Sequence, residues 1–391
     1  VPSSGNSIAF SAVGSVDSPS FPVNPRETIS YQWYKDFAAT GPATSTYLLP
    51  STINPSDLGN YKVRISNDYG AVDLPVTLSE GGTPTFWNGS SWELPAAYIA
   101  AGIVVSDDER NLIFSEDYSS TDDLEGCDCR VLRDRTVTIP ANTTLKLYGE
   151  IIVEEDITIV DEFGSQFIPG GEITFGNNAS LLQTKAVTTN INSGAINLER
   201  KATDLNTNDY IYWSSPVAGF DIGNIPGVFP YQWSVNAMNG NGTSGDWLAA
   251  SGAMSPGEGY IKRVPTSTDF TTTFIGTPNN GSIEVEVNKS SAPVPAIASD
   301  RHWNLVGNPY PSAINASMFL AENTNIDGFV NLWTRGDGIL NDGAVVNPFY
   351  GNFGYNYADE YLTYNLTGPS IQSDFDGNIA SGQGFFVQVL E

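Results

Sequence analysis

Apolar positions recur along this chain in short runs separated by turn residues. Near the N-terminus, alternating stretches such as 8–13 and 61–65 are broken by turns every ten or so positions, which predicts a small β-sandwich over residues 1–80. Tyr31-Gln32-Trp33-Tyr34 supplies that sandwich with a core tryptophan. Phe86-Trp87-Asn88-Gly89-Ser90-Ser91-Trp92 then sets two tryptophans astride an Asn-Gly turn, the pattern of a hairpin. From Val137 onward, short apolar groups recur every six to eight residues, with one gap of ten: 137–139, 145–147, 151–153, 157–159, 167–168, 173–175 and 181–182. Strands of about three residues suit stacked rungs better than a flat sheet of independent hairpins. Residues 81–195 are therefore read as a β-solenoid or β-roll, and their irregular spacing leaves an ordinary sandwich as the alternative.

Residues 196–391 contain a degenerate duplication. The first half runs Tyr212-Trp213-Ser214-Ser215-Pro216, Tyr231-Gln232-Trp233, Ser255-Pro256-Gly257-Glu258-Gly259-Tyr260-Ile261. The second runs Leu305-Val306-Gly307-Asn308-Pro309, Asn331-Leu332-Trp333, Ala380-Ser381-Gly382-Gln383-Gly384-Phe385-Phe386-Val387. The expectation is two related sheets in one pseudo-symmetric sandwich. The second half carries an excursion at 336–375 that the first lacks, rich in tyrosine among glycine and asparagine. The whole is thus predicted to be all-β.

Composition fits that class: 38 glycines, 24 prolines, 12% aromatic and only 16% charged residues suit strands and turns, and 40% hydrophobic residues can fill real cores. A chain of 391 residues exceeds the roughly 100 to 200 of one domain, which agrees with three. The net charge of −27 changes the functional picture, because it repels phosphate backbones and anionic lipid surfaces; nucleic acid is not an expected partner. No apolar stretch approaches the roughly 18 residues needed to span a membrane, so membrane insertion is not expected either.

Candidate chemistry is sparse. The two cysteines, Cys127 and Cys129, give no disulfide framework and only half a zinc site, and the reading is two thiols or one local bridge. The single histidine, His302, stands in a strand-like Asp-Arg-His-Trp context, and no Gly-x-Ser-x-Gly elbow accompanies it. Asp374, Asp376 and Asn378 place oxygen ligands at alternate positions around Gly377, as a Ca²⁺ loop requires; a solvated turn is the alternative. The acidic groups 107–109 and 122–125 carry the same ambiguity. In the 336–375 excursion, Tyr350, Tyr355 and Tyr357, with Trp333 at its base, form a candidate recognition surface. Aromatic faces pack on sugar rings, and the alternatives are rings packed under a long loop or a protein-binding surface.

Two resemblances sharpen these readings. Asp57-Leu58-Gly59-Asn60-Tyr61, after Trp33, resembles the tyrosine corner of an immunoglobulin-like domain, with Val63 where that family has its second cysteine. That implies a disulfide-free version held by packing. Thr-Phe-Trp-Asn-Gly-Ser-Ser-Trp at 85–92, Thr-Val-Thr-Ile-Pro-Ala-Asn-Thr-Thr-Leu at 136–145, Asn-Leu-Val-Gly-Asn-Pro-Tyr-Pro-Ser-Ala-Ile at 304–314 and the closing Ala-Ser-Gly-Gln-Gly-Phe-Phe-Val are similar to surface proteins of flavobacteria and other Bacteroidetes. Those proteins are exported by the type nine secretion system. The resemblance implies a processed, extracellular or cell-surface chain whose sorting domain is cleaved, omitted or lost, and it carries over no catalytic residue. The expected function is a noncatalytic adhesin or carbohydrate-binding module meeting polysaccharide or another cell-surface component. A self-associating structural subunit stands second and a polysaccharide-active enzyme third.

Overall fold

The computed structural model of the chain describes residues 9–11, 30–35, 38–41, 43–44, 46–48, 59–67, 70–78, 82–95, 99, 104–119, 121–161, 164–205, 209–238, 244–290, 302–333, 361–366, 368–369 and 375–390. Almost all of its regular structure is β-strand, as the turn-punctuated apolar pattern predicts. At the N-terminus, Ala38–Thr40, Ser30–Lys35, Gly59–Asn67 and Gly70–Leu78 lie side by side in that order, all antiparallel. Ala9–Ser11 pairs separately with Thr46–Leu48. Trp33 lies directly across from Val63, both are buried, and the indole Nε1 donates to the Thr44 carbonyl at 2.9 Å. These two side chains form the centre of the packed cluster in this sheet. Asp57 and Leu58 of the tyrosine-corner motif lie outside the described residues.

The middle region is a three-faced parallel solenoid. One face stacks Thr83–Trp87, Arg110–Phe114, Cys129–Val131 and Ile151–Val153. The second stacks Tyr118–Ser119, Thr136–Ile139, Glu172–Phe175 and Ile196–Ala202; the third stacks Leu124–Gly126, Thr144–Leu147 and Ser180–Gln183. Alternation points every second side chain inward, so Leu112, Cys129 and Ile151 line up, as do Leu124, Leu145 and Leu181, all buried. Cys129 thus acts as a small core residue; both cysteines are free thiols. The Asn-Gly hairpin caps the start: Trp87 pairs with Trp92, ring centroids 5.5 Å apart, and both rings pack on Tyr118. Two of the apolar groups are not rungs. Ile157–Asp161 and Gly164–Ile168 pair with each other as an antiparallel hairpin, and this excursion explains the irregular spacing.

The C-terminal region holds the duplicated sandwich. Tyr210–Trp213, Tyr260–Arg263, Val228–Met238 and Ser244–Ala249 form one sheet in that order. Trp303–Gly307, Gly384–Gln388, Val330–Trp333 and Tyr361–Asn365 repeat the same order in the second. The halves exchange equivalent contacts: Ser214 N donates to the Gly382 carbonyl at 2.8 Å, and Gly307 N to that of Gly257 at 2.9 Å. Between the sheets, the cross-strand pair Trp233/Trp247 faces its counterpart Trp333/Tyr361 around Phe386. The last solenoid strand, Ile196–Ala202, also pairs with Phe270–Gly276, so the solenoid core continues into Trp213, Val217, Phe220 and Phe274.

Candidate functional site

Where the last solenoid strand meets the sandwich, the chain leaves a cleft of about 260 Å³. Its aromatic wall comes from Tyr210, Tyr212 and Trp213 on one sheet and Trp333 on the other. Trp333 lies nearly parallel to the Tyr212 ring, interplanar angle 6° and centroids 5.4 Å apart, and meets its cross-strand partner Tyr361 edge-on at 5.1 Å. The hydroxyls of Tyr212 and Tyr361 bond at 2.5 Å. These contacts hold the rings in one pose. Burial pushes the Tyr210 hydroxyl above its ordinary pKa, with the neighbouring Tyr231 adding to the shift.

The polar wall is formed by Arg200, Lys201 and Asp209 with Gln383. Gln383 belongs to the second copy of the Gly-x-Gly turn and bridges to Trp213. Its Oε1 accepts from Ala380 N at 3.2 Å, while its Nε2 bonds no described residue. Arg200 Nη1 donates to Asn178 Oδ1 at 3.2 Å, and Lys201 pairs with Asp269 at 3.2 Å.

A second hollow, about 320 Å³, lies between solenoid residues 181–187 and the loops 279–281 and 310–312. Its wall includes Tyr310 and Pro311 of the Asn-Pro-Tyr-Pro motif. The motif's Asn308 is fully buried, and its Nδ2 donates to the carbonyls of Ser312, Ile379 and Ala380, so that asparagine locks loops together.

Of the residues singled out from sequence, Trp333 lies in the first cleft. Tyr350, Tyr355, Tyr357 and Asp374 lie outside the described residues. Asp376 and Asn378 meet each other: the carboxylate accepts Asn378 N at 2.8 Å and Nδ2 at 3.0 Å, and these bonds hold Asp376 below the usual carboxylate range. Among the described residues no group of three or more His, Cys, Asp or Glu is placed to hold a metal ion. The acidic groups at 107–109 and 122–125 bond within the protein: Asp107 pairs with Arg110, Asp123 accepts Thr144 N, and Glu125 pairs with Lys146. His302 is buried beside the strand Trp303–Gly307, and its Nδ1 has no partner among the described residues. Burial pushes the Cys127 and Cys129 thiols up, away from the reactive thiolate.

Sequence reasoning missed Arg200, Tyr210 and Asp209, and it took Tyr212 and Gln383 only as marks of duplication. For Arg200 a signal existed, since Ile196-Asn197-Leu198-Glu199-Arg200-Lys201-Ala202 puts a cation on the inward register of an otherwise apolar strand face.

Among known families, the model described as a domain of unknown function, DUF8693, matches residues 87–391, most of the chain. No curated protein matches the chain in sequence.

Proposed function

The chain belongs to the DUF8693 family of domains of unknown function, and from that premise we propose that it is a noncatalytic, exported binding module whose aromatic cleft holds one sugar unit of a surface polysaccharide. The observation that carries the reading is the cleft itself. Trp333 and Tyr210, the former stacked on the buried Tyr212, offer flat apolar surface beside the Gln383 amide and the Asp209 carboxylate. Sugar rings present an apolar face ringed by hydroxyls, and a site for them needs that combination of stacking surface and oriented polar groups. The position favours it as well, because ligand sites cluster where two structural units meet. At about 260 Å³ the cleft falls just below the roughly 300 to 1,000 Å³ of drug-sized ligand sites, which suits a single ring.

Affinity electrophoresis of the full chain against a panel of neutral and acidic polysaccharides tests the reading. At least one polysaccharide should retard the wild type, and Trp333→Ala or Tyr210→Ala should weaken that retardation by about tenfold or more, the size of a lost aromatic hot spot. A panel with no retardation, or a wild-type response in both variants, overturns the proposal.

A further inference from the structure

Arg200 lines the cleft without a counter-ion among the described residues. It stands on Ile196–Ala202 between Leu198 and Ala202, both buried, so the pleat turns its side chain toward the same interior. A guanidinium has five N–H donors, and the hydrogen bond it makes here is the one to Asn178. Other solenoid arginines meet carboxylates: Arg130 and Arg133 share Glu154 at 2.6 and 2.9 Å, Arg110 meets Asp107 at 3.1 Å, and Arg135 meets Glu116 at 3.4 Å. Among the described residues no carboxylate pairs with Arg200, in a chain that carries 44 acidic residues. Directly across the ladder sits Thr272, whose buried hydroxyl has no partner among the described residues. Burial pulls Arg200 below its ordinary pKa with no acid offsetting it, whereas the Asp73 carboxylate raises Arg64. A half-buried, unpaired charge is unfavourable unless something completes it, and the planar fork of arginine matches a carboxylate at two points.

Resting on the reading that the cleft holds a sugar, we infer that this sugar bears a carboxylate, which Arg200 grips while the ring lies against Trp333 and Tyr210. The chain's overall charge narrows the ligand further. A net −27 repels a polymer with an acid on every unit, so the ligand is an isolated acidic sugar on an otherwise neutral chain. Local pairing at a half-buried guanidinium is screened less than that long-range repulsion.

The test is calorimetric titration of the full chain with three probes: xylohexaose bearing one glucuronic acid, unsubstituted xylohexaose, and polygalacturonate. The wild type should prefer the substituted hexasaccharide over the plain one by about ten- to a hundredfold, the range of hydrogen bonds to a charged group. Arg200→Met should bring that ratio close to one, and Arg200→Lys should keep part of it. Free glucuronate, unlike glucose, should raise the wild-type melting temperature, a readout that needs no variant. Equal affinity of the wild type for the two hexasaccharides overturns the acidic-sugar inference and leaves the sugar cleft standing. Tightest binding to polygalacturonate overturns the isolated acid. No binding of either hexasaccharide, with no shift from free glucuronate, overturns the inference, while the sugar cleft stands or falls with the polysaccharide panel. If Arg200→Met does not fold, the Lys variant and the glucuronate shift decide, and absence of that shift overturns the inference.

Discussion

Asp117, Asp123, Asp128 and Asp156 each turn a carboxylate oxygen onto a backbone N–H farther along the solenoid, those of Thr136, Thr144, Glu150 and Gly170, at 2.9, 2.8, 2.9 and 2.6 Å. Such bonds satisfy donors that tight corners would otherwise leave open. Part of the acidity that reads from sequence as solvation or calcium binding is therefore structural. It was not legible because the N–H that a carboxylate reaches belongs to a segment some twenty residues away, and local spacing carries no trace of it. Glu150 shows the cost of crowding: burial, and then the charge of Asp128, push its carboxyl up to about 7. The folded state binds this proton more tightly than the unfolded chain, so the stabilisation is fully present below about pH 4.5 and is lost as pH rises through about 7. For a group that keeps some solvent contact, the effect is about 1 to 2 kcal/mol. Urea melts at pH 5 and pH 8 should show Glu150→Gln gaining stability relative to the wild type at the higher pH by that amount. A difference between the two proteins that does not change with pH rules the explanation out.

At the scale of elements, the sequence announces short strands well and their partners poorly. The groups 145–147 and 167–168 look alike as apolar runs, yet Leu145 is a fully buried rung residue and Phe167 is 61% exposed on the antiparallel hairpin. Register decides between them, and in a solenoid it is set by the rungs before and after. The hairpin leaves the stack and returns, its base closed by Gly170 N on Asp156, so the rung at Glu172–Phe175 resumes alignment with Thr136–Ile139. Leu145→Ala should cost about 2 to 5 kcal/mol, and Phe167→Ala about 0.5 kcal/mol or less. Equal losses in chemical denaturation would mean that the hairpin packs as part of the core. The candidate site divides in the same way. Trp333 was legible because it stands at the base of the 336–375 excursion, whereas Arg200 and Tyr210 become neighbours of it only through strand order.

At the scale of the whole molecule, the duplication within 196–391 was legible because its Gly-x-Gly turn is fixed by the approach of the other half. A Cβ on Gly259 would stand 2.5 Å from Leu305 Cγ, and one on Gly384 would stand 3.1 Å from the Trp213 carbonyl. That reciprocity, with the shared core, predicts how the molecule comes apart. The solenoid core runs without a break into Trp213, Val217 and Phe274 of the first half, and the Ile196–Ala202 strand is laddered along its length to Phe270–Gly276. The second half is tied to the first through Trp233 Nε1 on the Trp303 carbonyl at 2.9 Å and through the rings around Phe386. Residues 82–390 should therefore unfold as one cooperative unit. The cluster around Trp33 and Val63 draws its packed neighbours, Tyr31 and Ile65, from its own sheet, so it should melt separately. Scanning calorimetry of the full chain should then show two transitions. Trp33→Ala, with a loss of about 3 to 5 kcal/mol from a fully buried ring, should lower only one of them. Leu305→Ala, at the junction of the two halves, should lower only the other. A single transition displaced by both substitutions would mean that the N-terminal sheet shares its stability with the rest, and that the cooperative boundary does not lie near residue 80.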